Sequence, residues 1–118
     1  MKETKIYVET SKEKYLMAFN LNVMEEIQDE FGSLKEWGKI SEDNGSGEPN
    51  IKPLKKGLGF MLNEGIEIEN ETREEKKPLL DAKQVGRIIS EIGLAELKNK
   101  IKEVTIASVN TGEETKNE

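Results

Sequence analysis

Residues 19–40, FNLNVMEEIQDEFGSLKEWGKI, change the periodicity of the chain and thereby decide its fold. Met24, Ile27 and Phe31 recur at i, i+3 and i+7, which places them on one face of a helix. Asn22, with Glu25 three positions on, reads as the N-cap of that helix in a variant of the capping box. Gly32 suits a left-handed C-terminal cap, because it has no Cβ to clash. Ser33 and Glu36 form a second capping box immediately afterwards, opening a short helix with Leu34, Trp37 and Ile40 inward. The chain therefore turns sharply at Phe31-Gly32-Ser33, from one helix into another.

Upstream, the period is two. Ile6 and Val8 alternate with polar neighbours, and Tyr15, Met17 and Phe19 repeat the alternation, so the first twenty residues predict a β-hairpin turning at Thr10-Ser11-Lys12-Glu13. Two strands alone are marginal in water, so this hairpin must pack on a helix or pair with another chain.

Downstream, Ser41 to Asn50 is a loop by composition. A third helix is predicted from Ile51 to Leu62, with Ile51, Leu54, Leu58, Met61 and Leu62 on one stripe and Gly65 as its stop. Gly57 and Gly59 inside it cost about 1 kcal/mol each relative to Ala, which implies close packing against another helix or partial fraying. Residues 67–77, EIENETREEKK, hold five Glu against three basic residues and read as a solvated loop or mobile excursion. Pro78 closes it, and Asp81 with Gln84 makes another capping-box variant. Val85, Ile88, Ile89 and Ile92 then give the cleanest helical face in the chain, capped by Gly93. Leu94, Leu97, Ile101 and Val104 form the stripe of a last helix. Lys98, Lys100 and Lys102 lie toward its C-terminal end, where cations suit the macrodipole.

The predicted architecture is α+β: a mainly α-helical single domain over residues 1–104, with an N-terminal β-hairpin followed by four to five helices. Residues 41–50 and 67–77 are its flexible loops, and residues 105–118 are expected to be a polar, disordered tail. A length of 118 residues fits one domain. Charged residues make up 36% and hydrophobic residues 34%, below the usual apolar share of about 45–50%, so a large enzyme-sized core is not expected. Leu, Ile, Val and Phe nevertheless total 29 residues, more than a disordered chain of this length carries.

Several chemistries fall away. The chain has no Cys and no His, which removes thiolate nucleophiles, disulfides, imidazole bases and the usual zinc ligands. No apolar run approaches the 18 or so residues of a membrane span, and no secretory signal is visible. The net charge of −6 weighs against nucleic acid as a partner. A soluble, cytoplasmic, non-catalytic protein is expected, with no cofactor and no metal.

Short motifs are better explained by structure than by chemistry. Glu42-Asp43-Asn44-Gly45 lacks the spacing of a calcium loop and reads as a turn. Gly57-Leu58-Gly59 has Leu62 where a dinucleotide fingerprint needs its third Gly, and reads as a helix-packing feature. The pairs Glu25/Glu26, Glu74/Glu75 and Glu113/Glu114 lack the buried setting that splits carboxylate pKa values. Lys52, Lys55 and Lys56 form a basic patch with no interleaved aromatics, a counter-charge for an acidic neighbour rather than an RNA site. Trp37 suits a core anchor or an interface hot spot. The stripe Leu94, Leu97, Ile101 and Val104 can close the core or face a partner, and self-association into a homo-oligomer is a further possibility.

A strand pair running into Phe19-Asn20-Leu21-Asn22, the helix closed by Phe31-Gly32-Ser33-Leu34, the apolar helix ending at Asn63-Glu64-Gly65 and the Leu80 to Ile89 helix occur in an order that resembles the tail assembly chaperones of long-tailed phages and prophages, and the related gene-transfer-agent proteins. The likeness covers roughly Lys5 to Val104. It implies a non-enzymatic, mostly helical protein of the infected bacterium. Such a protein coats the tape-measure protein, keeps it soluble and helps recruit tail-tube subunits, and is not retained in the virion. Many members exist in short and frameshifted long forms. The resemblance carries over no catalytic motif. On this reading Trp37, Leu94, Leu97, Ile101 and Val104 are the candidate partner-facing residues. The competing expectation is a small acidic regulatory adaptor that covers a basic surface by charge mimicry, motivated by residues 67–77.

Overall fold

A computed structural model describes residues 5–42 and 45–116. Strands β1 (Ile6–Glu9) and β2 (Lys14–Met17) precede five helices: α1 (Leu21–Phe31), α2 (Leu34–Glu42), α3 (Ile51–Asn70), α4 (Ala82–Ile92) and α5 (Leu94–Lys116). This is the α+β arrangement expected, a hairpin followed by helices in one compact body. No helix among the described residues is long and apolar enough to cross a membrane.

The strands pair antiparallel with Ile6 opposite Met17 and Val8 opposite Tyr15. Their turn is tied by Thr10, whose Oγ1 accepts from the Glu13 amide at 3.1 Å while its own amide donates to the Glu13 carbonyl at 2.9 Å. Ile6, Val8 and Met17 face the main core. Leu16, on the opposite face, is buried as well, so the hairpin is covered on both sides. The period-two reading placed only one face of β2 inward, because it had no account of what lies behind Leu16.

Behind Leu16 lies α3, the spine of the molecule, which contacts β2, α1, α2 and α4. This helix does not stop at Gly65, as the sequence suggested, but runs on to Asn70. A Cβ on Gly65 would overlap the Leu16 carbonyl, so this glycine is a point of close approach rather than a terminator. Gly57 does the same for α2: a Cβ there would enter the Trp37 indole. Of the two expectations for these interior glycines, close packing is the one realised at Gly57. A bond from the Ala18 amide to the Met61 carbonyl, 3.1 Å, fastens the end of the hairpin to α3.

Local signals set most helix ends. The α1 N-cap is Asn20, not Asn22: its side chain accepts from the Val23 amide at 3.1 Å. The Asn22 side chain instead donates to Glu64, as does that of Asn20. Gly32 closes α1 with φ +98°, and the Ser33 hydroxyl accepts from the Glu36 amide to open α2. The Asp81/Gln84 capping box of α4 is complete, both bonds being 2.9 Å. Gly93, at φ +95°, ends α4 and turns the chain into α5.

Residues 67–70 belong to α3 rather than to a solvated excursion. The loop that follows is bracketed by amide side chains acting as surrogate backbone. Asn70 accepts from the Lys77 amide and donates to the Lys77 carbonyl at 3.0 and 2.9 Å. Asn63 grips Leu80 in the same way, at 2.8 and 3.1 Å. At the C-terminus α5 continues to Lys116, where a disordered tail was expected from residue 105.

Candidate interaction surfaces

Trp37 and the four stripe residues of α5, together the candidate partner face, lie against the body of the protein. Trp37 is buried between α2 and α3, its Nε1 donating to the Pro53 carbonyl at 2.7 Å. Leu97 is 0% exposed and Val104 is also buried. Leu94 and Ile101 are half-buried and pack on the same core. Helix α5 rests on α4 and β1, the two elements that its stripe covers. In this folded chain the stripe closes the core. The sequence left core and partner roles open because an amphipathic period looks the same for both.

Exposed large apolar side chains are few and separated in sequence: Leu21, Ile51, Leu79 and Ile106 belong to four different segments. Leu21 is the most exposed, at 85%. Scattered side chains of this kind are ordinary on a folded surface.

Charge is more organised than apolar area. Along the seam between α1 and α3, Glu30 pairs with Lys56 at 3.3 Å. That is the counter-charge role expected of the 52–56 lysines, realised by Lys56. At the other end of the seam the charges are all negative. Glu64 accepts from both Asn20 and Asn22, at 2.8 and 3.1 Å. Partial desolvation, then the neighbouring charges of Glu64, Glu67 and Glu25, push the Glu26 carboxyl above its ordinary value. Glu26 remains exposed, so this is crowding of solvated carboxylates, not the buried setting of an acid–base pair.

Within the acidic 67–77 stretch Arg73 pairs with Glu69 at 3.0 Å, while Lys77 pairs outside it, with Glu13 of the hairpin turn, at 2.6 Å. Tyr15, near that second pair, has its hydroxyl pushed up by burial and by the Glu13 charge. Among the described residues, no group of His, Cys, Asp or Glu is arranged to hold a metal. Asp43 and Asn44, which carried the weak calcium-loop pattern, lie outside the described residues, as do residues 117–118.

No family model, no curated protein and no solved structure matches this chain.

Proposed function

We propose that the chain is a non-enzymatic phage tail assembly chaperone that binds the tape-measure protein and helps recruit tail-tube subunits during tail assembly. The resemblance of its ordered motifs motivates the reading, and one structural arrangement supports it. A small body built on α3 seats the first part of α5, Leu94 to Val104, by an apolar stripe across α4 and β1. Seating an amphipathic helix on a helix-and-hairpin platform is the kind of contact that recognition of a helical tape-measure protein requires. The acidic surface keeps such a complex soluble. On this reading the protein acts in the cytoplasm of an infected bacterium and is left out of the virion.

The test is co-expression of the full chain with a long helical protein encoded beside it. A partner that turns from insoluble to soluble, and co-purifies at high salt, is the expected result. Failure to solubilise it or to bind it at any salt overturns the reading. Gene order is a second check: a tail-tube gene upstream and a very long helical reading frame downstream are expected.

A second reading has its own observation. The carboxylates Glu25, Glu26, Glu64 and Glu67 gather at one end of the α1–α3 seam, as a regulatory adaptor for a basic surface would need. Binding to a basic protein that falls steeply with salt is its signature.

A further inference from the structure

The other notable distribution of charge is basic. Residues 49–63 and 82–90 hold five cations and not one Asp or Glu, in a chain where 24 of 118 residues are acidic. The fold sets these two stretches side by side as the start of α3 and most of α4. Asn63 grips Leu80, Val85 lies 3.6 Å from where a Cβ on Gly59 would stand, and the Lys55 side chain lies over Gly86. Lys55 Cε and Nζ are each 3.4 Å from the position a Gly86 Cβ would take.

Lys83 and Arg87, one turn apart and both exposed, lie on α4 within three residues of Gly86, where the Lys55 ammonium rests. Lys52 stands one turn before Lys55 on the side of α3 that carries Gly59. Lys56 is directed elsewhere, to Glu30. None of Lys52, Lys55, Lys83 and Arg87 forms an ion pair with a described residue. Like charges on adjacent helices without a counter-ion repel.

We propose that this α3–α4 seam docks a short acidic segment of a partner polypeptide, with carboxylates spaced about one helical turn apart. Lys83 and Arg87 are themselves one turn apart, and Lys52 and Lys55 repeat the spacing on α3, so a segment with Glu or Asp at i and i+3 or i+4 matches both rows. Shortness follows from the rest of the surface. A net charge of −6 repels a long polyanion beyond the seam, since screening acts over about 8 Å at physiological ionic strength. The one aromatic residue in the two stretches, Phe60, packs on the core and offers no platform for a nucleic-acid base. The inference does not depend on the tail-assembly reading, because it rests on charge placement alone.

The experiment uses the full chain and a dye-labelled helical peptide with Glu at i and i+4, followed by fluorescence anisotropy. Saturable binding that weakens on raising NaCl from 20 to 150 mM is expected. The double variant K55E/R87E should bind at least tenfold more weakly, while K55R/K83R retains binding. K35E/K39E, which alters exposed cations on α2, serves as the control and should lose less than threefold. All four lysines and Arg87 lie on the outside of helices, so circular dichroism should show each variant folded. Absence of saturable binding, or equal loss in the control, overturns the proposal. So does tighter binding of a single-stranded oligonucleotide of equal charge, which would make nucleic acid the occupant.

Discussion

The indole of Trp37 fills the space that a Cβ on Gly57 would need, and its Nε1 is fixed to the Pro53 carbonyl at 2.7 Å. Helix α2 is thus held against α3 at a contact only glycine permits. Gly57→Ala forces the ring away from a bond that anchors it. The gain in helix propensity is about 1 kcal/mol, and overpacking costs about 1–3 kcal/mol before the lost hydrogen bond is added. Net destabilisation of about 1–3 kcal/mol is expected in thermal or urea unfolding, with an altered Trp37 emission spectrum.

The three interior glycines of α3 should differ in sign. Gly65→Ala meets the Leu16 carbonyl, a backbone atom that cannot rotate away, and should be at least as damaging as Gly57→Ala. Gly59→Ala meets only the Val85 methyl at 3.6 Å, an ordinary contact. There the propensity gain wins, and stabilisation of up to about 1 kcal/mol is expected. Equal effects at all three sites would contradict the packing described.

Leu97→Ala removes a fully buried side chain from the join of α5 with the core and should cost about 2–5 kcal/mol. Ile106→Ala, on a half-exposed position of the same helix, should stay within about 1 kcal/mol. If Leu97→Ala leaves the unfolding midpoint unchanged, the stripe does not close the core.

Ser41 is buried, and its hydroxyl has no hydrogen-bond partner among the described residues. Leaving a buried polar group unsatisfied costs about 1–3 kcal/mol, and Ala is the better helix former. Ser41→Ala is therefore expected to raise the midpoint of thermal unfolding, by an amount equivalent to about 0.5–1.5 kcal/mol.

Glu26 yields a prediction about pH. Its carboxyl binds protons more readily in the folded state, through partial desolvation and the charges of Glu64, Glu67 and Glu25. The folded state therefore holds more protons than the unfolded state as pH rises past the ordinary carboxylate range, and stability falls through that window. Glu26→Gln should stabilise the protein slightly at pH 7 and make no difference near pH 3. A stabilisation that persists at pH 3 would show that the charge is not its cause.

Much of the helical framework was legible because capping is local. Gly32, Ser33, Asp81, Gln84 and Gly93 act within four residues of themselves, so spacing alone reveals them. Asn20 was missed as the α1 cap because Asn22 offered the same chemistry two positions later. Both side chains donate to Glu64, far along the chain, and what separates them is that the Asn20 Oδ1 also accepts from the Val23 amide.

The sequence by itself determined the class of fold, the hairpin and its turn, and the starts of α2, α3 and α4. It also determined the acid-free stretches at 49–63 and 82–90. Each is a matter of residue type and short spacing along one chain. Only the tertiary structure decided that Gly65 continues a helix instead of ending it, that Leu16 is buried, and that the α5 stripe lies inward. The same is true of the placement of Lys55 against Gly86, in the stretch of α4 that carries Lys83 and Arg87. A glycine or an apolar stripe takes its meaning from the atoms opposite, and those are brought there by contacts between residues far apart in the chain.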